Sequence, residues 1–181
     1  MCGVTEDLNG QLRRVLREAA LFAGIFVIAS VVAALIWRNS VELPRWQRSG
    51  SGISMGPIDA TKTIGIDAVF LFVSAPIALV LGAALTFWRR STPIASVVLI
   101  AFMSVGAAAL TERFGLLVGP GSPADALRHA AVGATAPVQL QIQATGVLIV
   151  WPAAAMLGAL LVLLMSPTAE IAAPPMPAPI S

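Results

Sequence analysis

The chain contains four long apolar stretches without a single charged residue: Ala19–Trp37, Ala68–Trp88, Pro93–Leu110 and Ala144–Met165. A helix rises about 1.5 Å per residue, so roughly 20 residues match the ~30 Å hydrocarbon core of a bilayer. All 9 acidic residues, all 11 lysines and arginines and the 1 histidine lie outside these stretches. The sequence therefore predicts an all-α, polytopic membrane protein with four transmembrane helices in one bundle.

Composition argues against an additional soluble domain. Charged residues make up 11% of the chain and its mean hydropathy is +0.88, whereas soluble domains carry about 25% charged residues. The two longest polar connections, Arg38–Asp67 and Thr111–Gln143, are too short to build a core alone, because domains below ~40 residues usually need disulfides, metals or partners. We therefore expect one transmembrane domain over residues 19–165.

The remaining segments have distinct expected structures. Met1–Glu18 is predicted to form a cytoplasmic amphipathic helix that leads into the first span, and the Pro-rich residues 166–181 are predicted to form a mobile tail. The first connection, Arg38–Asp67, is rich in glycine, serine and proline, which predicts irregular structure with turns. The short connection Arg89–Thr92 predicts an antiparallel hairpin of the second and third spans.

One short helix is predicted in the last connection. Ser122 is placed to be its N-cap, Asp125 lies near its positive end, and Gly133 is placed to terminate it. Its core, Ala124–Val132, has a mildly apolar face. The pattern predicts a short interfacial helix at the membrane surface.

The positions of the arginines predict the orientation. Four spans put both termini on one side, and the raw count of basic residues on the two sides is nearly equal. Arg89 and Arg90 occupy a very short connection, and residues 13–17 carry an arginine cluster next to the first span. The positive-inside rule weights such positions most, so both termini are predicted to be cytoplasmic in a plasma membrane. Trp37 and Trp88 end their spans and, with the two connection arginines, are predicted membrane-interface anchors.

The spans lack the residues on which several functions depend. Ion pathways, proton-coupled pumps and most intramembrane enzymes place ionisable side chains inside the bilayer. The single histidine, His129, excludes a haem held by two histidines and a multi-histidine metal site. The basic residues are scattered without interleaved aromatics, which gives no case for nucleic acid. No cofactor is predicted.

Three charged residues flank the spans on the outer side. Asp67 opens the second span, while Glu112 and Arg113 close the third. They are candidate contacts for a partner on the outer face. The favoured alternative is structural, because Asp at a helix N-terminus and Arg at a C-terminus both complement the helix dipole.

Prolines and small residues bear on how the spans pack. Pro76 and Pro152 lie within predicted spans and should kink them. Such a kink has two readings: it opens a groove that receives a lipid or a partner helix, or it only adjusts how the helices pack. Small residues recur at four-residue spacing in Ala20/Gly24, Ala78/Gly82 and Ala154/Gly158, which allows helices to approach closely.

Residues 67–164 resemble a family of small actinobacterial integral membrane proteins catalogued as a domain of unknown function. The similar features are Asp67 with Phe70, the run Trp88-Arg89-Arg90, the Gly119-Pro120-Gly121 turn and Trp151-Pro152. The resemblance implies four transmembrane helices. It implies no activity, ligand or catalytic residue.

The favoured hypothesis is a non-enzymatic accessory or scaffolding component of a cell-envelope membrane complex, with a membrane-protein partner or self-association. A second hypothesis is a small-molecule or lipid carrier that uses cavities at Pro76 and Pro152. A third is an enzyme that uses acidic side chains of the connections, but their scatter lacks metal-ligand spacing. Those acids are Asp59, Asp67, Glu112 and Asp125.

Overall fold

The computed structural model describes residues 2–89 and 93–166. Within this part of the chain, four helical segments are long and apolar enough to cross a membrane, with mean hydropathies of 2.7, 2.5, 2.2 and 2.6 in their most apolar windows. The predicted number of long apolar helices is therefore confirmed. The elements are α1 (Cys2–Ser40), β1 (Arg45–Ser49), β2 (Gly52–Met55), α2 (Pro57–Trp88), α3 (Pro93–Val118), α4 (Pro123–Leu127), β3 (Thr135–Pro137), a 3-10 segment (Thr145–Ile149) and α5 (Val150–Met165).

Helix α1 continues without a break through the predicted N-terminal helix and the first predicted span. In the bundle, α2 packs along α5 and α1 packs along α3, while α3 also contacts α5. The contact between α1 and α2 is much less extensive. This difference leaves a groove between α1 and α2.

The close packing of α2 on α5 depends on two glycines. A Cβ atom added to Gly82 would overlap the carbonyl of Ala155, and one added to Gly158 would overlap the carbonyl of Leu79. The small-residue pairs predicted from the sequence on these two helices therefore meet each other. The third predicted pair, on α1, does not have this role, since a Cβ on Gly24 would meet no described atom within 4 Å.

Trp37 lies in the core of the bundle. Its side chain is fully buried, its ring meets Phe70 of α2 edge-on at 5.1 Å, and its Nε1 donates a hydrogen bond to the Ile66 carbonyl at 3.0 Å. A Cβ on Gly115 of α3 would overlap its ring. The ring of Trp37 therefore joins α1, α2 and α3, and its predicted role as an interface anchor stays a prediction.

The first connection is more regular than predicted. Residues 45–55 form the β1–β2 hairpin, in which Gly52 has a φ of 148°, a value that favours glycine. Helix α2 begins at Pro57, well before the predicted start at Ala68, because Pro57 suits the first helical position and Asp59 complements the dipole in the first turn.

The short helix of the last connection is only partly as predicted. Ser122 occupies the N-cap position, but its hydroxyl makes no capping bond, and α4 ends at Leu127 rather than continuing to residue 132. Leu127 is buried inside the protein, with 2% of its surface exposed, because α4 packs on the neighbouring strands β1 and β3. Its apolar side chain is therefore covered by protein.

The two span prolines occupy different positions. Pro76 lies inside α2, as predicted. Pro152 is the third residue of α5 and directly follows the 3-10 segment, so it lies where the chain changes from 3-10 to α geometry. A kink at either proline stays a prediction.

Candidate functional site

Both long connections come together at the bundle end where α1 and α3 finish. We name residues 41–56 and 119–144 the cap. Its centre is an antiparallel sheet of three strands in the order β2-β1-β3, so that β1 pairs on one side with its hairpin partner and on the other with the last connection. Trp46 lies opposite Met55 on one side and Ala136 on the other.

Arg48 fastens α4 to the sheet. Its Nη1 donates to the carbonyl of Leu127 at 2.6 Å and also to the carbonyl of Arg128. On the backbone, Arg48 N donates to Ala134 O at 2.9 Å and Gly133 N donates to Arg48 O at 2.8 Å. A cation at the C-terminus of a helix bonds carbonyls that lack helical partners, so one side chain ends α4 and orients it.

Asp67 fastens the cap to the bundle. Its two carboxylate oxygens accept hydrogen bonds from the backbone N–H groups of Gln143 at 3.0 Å and Ala144 at 2.9 Å. These donors directly precede the 3-10 segment. The carboxylate of an α2 residue therefore bonds the N-terminal end of the last helical segment, where negative charge is favoured. Asp67 lies well inside α2, so the helix end that it complements belongs to a different element.

The two other candidate contacts lie on α3. Glu112 and Arg113 were predicted to close the third span, but α3 continues to Val118, so both are internal to the helix. Glu112 is half-buried and Arg113 is exposed. Among the described residues, the hydrogen bonds of Asp67 involve neither of them. The role of these three residues as partner contacts stays a prediction.

The remaining acids of the cap side have separate local partners. Lys62 lies 3.8 Å from Asp59 and 3.9 Å from Glu42, and Arg128 lies 3.3 Å from Asp125. Among the side chains that the structure describes, no three His, Cys, Asp or Glu residues come together as ligands for a metal ion. The structure does not gather the four acids named for an enzyme.

Strand β2 lies at one edge of the sheet. In the described part of the chain, β2 pairs with β1 only, so its other edge has no neighbouring strand. Gly52 and Ser54 are exposed, while Ile53 and Met55 are half-buried. The strand contains neither charge nor proline, the features by which natural edge strands avoid pairing with further chains.

The opposite end of the bundle carries the other predicted anchors. Arg89, directly after α2, forms an ion pair with Glu18 of α1 at 2.5 Å. Trp88 is 64% exposed, which suits its predicted interfacial position without testing it. Arg90 and the predicted tail from residue 167 onward lie outside the described residues.

Comparison of this chain with protein-family models, with curated proteins and with solved structures finds no match. No residue role is therefore available from a relative. The cap sheet is the feature that sequence reasoning missed. Its one local signal is the run Ser49-Gly50-Ser51-Gly52 between two short segments of strand-like alternation, which is typical of a hairpin.

Proposed function

We propose that this protein is a non-enzymatic integral membrane component, with an accessory or scaffolding role in a cell-envelope complex. Its four apolar helices anchor it, and its cap holds a membrane-protein partner. The observation that carries the proposal is the unpaired edge of β2 on a sheet that the chain itself keeps in place. The partner contributes an extended segment that adds to this edge as a further strand.

The cap is suited to this role because it is ordered in advance. Arg48 bonds α4 to the sheet and Asp67 bonds the end of the last connection to α2. A binding edge that is already fixed in position loses little conformational entropy when a partner binds. The uncharged strand Gly52–Met55 offers backbone donors and acceptors without a side-chain barrier.

The proposed location is the plasma membrane, with both termini in the cytoplasm and the cap outside. Support comes from the arginines at the opposite bundle end. Arg13 and Arg17 are exposed on α1, and Arg89 directly follows α2. Positive charges this close to span ends favour the cytoplasmic side.

The test is affinity purification of the tagged protein from its native membrane in mild detergent, followed by mass spectrometry. The decisive variant is Ser54→Lys, which places a charge on the edge strand. The matched control is Gln47→Lys, because Gln47 lies directly opposite Ser54 on the central strand and is equally exposed.

We expect a stoichiometric partner to co-purify with the wild type and with Gln47→Lys. The amount of partner that co-purifies with Ser54→Lys should be at least about tenfold lower, the factor that corresponds to 1.4 kcal/mol. A partner retained fully by Ser54→Lys would show that the edge is not the binding site. Recovery of the wild type as a lone monomer would overturn the accessory role itself.

The alternative function is a lipid or small-molecule carrier. One observation favours it: Pro76 lines an apolar groove of about 550 Å³ between α1 and α2. Pro152, the other residue on which this hypothesis depends, lies at the start of α5 and does not line that groove. Transport by reconstituted protein that persists in Pro76→Ala would argue against the carrier.

A further inference from the structure

The groove between α1 and α2 has an apolar part and a polar part. We name both together the α1–α2 groove. The apolar part, of about 550 Å³, is lined by Ile25, Ile28 and Val32 of α1 and by Pro76, Val80 and Leu81 of α2. The polar part, of about 410 Å³, lies nearer the chain termini and is lined by Arg17, Glu18, Leu21, Phe22, Trp88 and Arg89.

The two parts belong to the same face of both helices. On α1, residues 18, 21, 25, 28 and 32 follow one another at intervals of three or four, so they form a single stripe. On α2, residues 77, 81 and 88 repeat at intervals of four and seven, which also keeps to one face. The polar part therefore leads into the apolar part along the same pair of helices.

The length of the groove matches one leaflet of a bilayer. Val32 follows Leu21 by eleven positions, which corresponds to about 16 Å of helix at 1.5 Å per residue. Half of the hydrocarbon core is ~15 Å. A molecule with its polar group beside Trp88 would thus place an acyl chain along Ile25 and Ile28 and end near Val32.

The charge at the polar end favours an anion. Arg17 is exposed, and the Arg89–Glu18 ion pair leaves this end with one net positive charge. Arg13, one turn earlier on α1, is also exposed but does not line the groove. Basic positions between helices at a membrane surface attract anionic lipid headgroups, at about 1 kcal/mol for each arginine. Tryptophan at the headgroup level, as at Trp88, completes such a site.

We infer that the α1–α2 groove binds one anionic glycerophospholipid from the leaflet on the side of the termini. Arg17 attracts the headgroup phosphate, with the Arg89–Glu18 pair beside it, and an acyl chain fills the space between α1 and α2, whose mutual contact is sparse. This inference goes beyond the proposed scaffolding role and does not depend on it, because the polar part of the groove and the cap lie at opposite ends of the bundle.

The experiment uses the full chain reconstituted in vesicles of equal parts phosphatidylglycerol and phosphatidylethanolamine. The protein is extracted in mild detergent, and its retained lipids are counted by native mass spectrometry. We expect one phosphatidylglycerol to be retained in preference to phosphatidylethanolamine. Arg17→Gln should lower this preference about fivefold, the factor that corresponds to about 1 kcal/mol, while the control Arg13→Gln should lower it less.

A second pair of variants tests the apolar part. Val80→Trp fills the groove and should remove most retained lipid of both kinds. Val105→Trp is its control, because Val80 and Val105 are 61% and 59% exposed and only Val80 lines the groove. Thermal unfolding of each variant checks the fold, and Arg17→Gln, at an exposed position, keeps the test valid if Val80→Trp unfolds.

Two results would overturn the inference. The first is retention of the two lipids by the wild type in the proportion of the vesicles. The second is a combined result: Arg17→Gln and Arg13→Gln show the same preference for phosphatidylglycerol over phosphatidylethanolamine, and Val80→Trp and Val105→Trp retain equal amounts of lipid.

Discussion

Gly82 of α2 lies directly against the carbonyl of Ala155 of α5, with no room between them for a single methyl group. Gly158 stands in the same relation to Leu79 on the other side of the contact. The two helices run parallel in the bundle and approach through backbone atoms. Between apolar helices, van der Waals packing at such close range provides much of the association energy.

Gly82→Ala should therefore destabilise the bundle strongly. The added Cβ can be accommodated only if α2 and α5 separate, and overpacking of this kind costs about 1–3 kcal/mol or more. We expect a clear drop in the midpoint of thermal unfolding in detergent. Gly106→Ala is the control, since a Cβ on that exposed glycine of α3 would meet no described atom within 4 Å. Equal midpoints for the two variants would contradict the close contact.

Asp67→Ala should weaken the attachment of the cap to the bundle, while the helix bundle itself stays folded. The change leaves the N–H groups of Gln143 and Ala144 without their carboxylate, and hydrogen bonds to a charged group contribute about 1.5–3 kcal/mol. Hydrogen exchange of the amides in residues 141–147 should accelerate at least about tenfold, the factor for 1.4 kcal/mol. Asp59→Ala is the control: it removes only the carboxylate that lies 3.8 Å from Lys62, so the exchange rates of these amides should not change. Unaltered exchange in Asp67→Ala would show that the carboxylate does not hold the cap.

Two buried serines should respond in opposite ways to replacement by alanine. Ser30 Oγ lies 2.8 Å from Phe26 O and 3.1 Å from Ala107 O, so its hydroxyl links α1 to α3. Ser74 Oγ is equally buried but has no hydrogen-bond partner among the described residues. Ser30→Ala should cost about 1 kcal/mol of unfolding free energy, whereas Ser74→Ala should be neutral or stabilising, because it removes an unsatisfied polar group. Denaturant titration of both variants measures the difference, and equal losses would contradict the assigned contacts.

The number of long helices followed from the sequence because each contains enough consecutive apolar residues to cross a bilayer. Their ends did not follow, since helices continue beyond the apolar stretch wherever polar residues also favour helix. Pro57 and Asp59 begin α2 early in this way, and α3 continues past Glu112 and Arg113 to Val118. Hydropathy indicates the length of the apolar stretch and not the length of the helix.

The cap was not predictable for a different reason. Its central strand pairs Trp46 with Ala136, two residues separated by two long helices, and no local pattern encodes that register. The contact of Asp67 with Ala144 likewise joins two residues that are far apart in the sequence. The burial of Trp37 was not predictable either, because a tryptophan at the end of an apolar stretch is typical of an interface, and only the packing of Phe70 and Gly115 shows that its ring is covered.

The pairing of β1 with β3 also imposes an order on biosynthesis. The β1–β2 hairpin leaves the ribosome before α2, whereas β3 follows α3 in the chain. The edge of β1 that pairs with β3 therefore stays unpaired until α2 and α3 have been synthesised. The carboxylate of Asp67 finds its partners later still in synthesis, when Gln143 and Ala144 follow just ahead of α5. Completion of the sheet therefore requires translation past α3 and through β3. A partner that recognises the finished sheet would assemble only with chains that have passed this point.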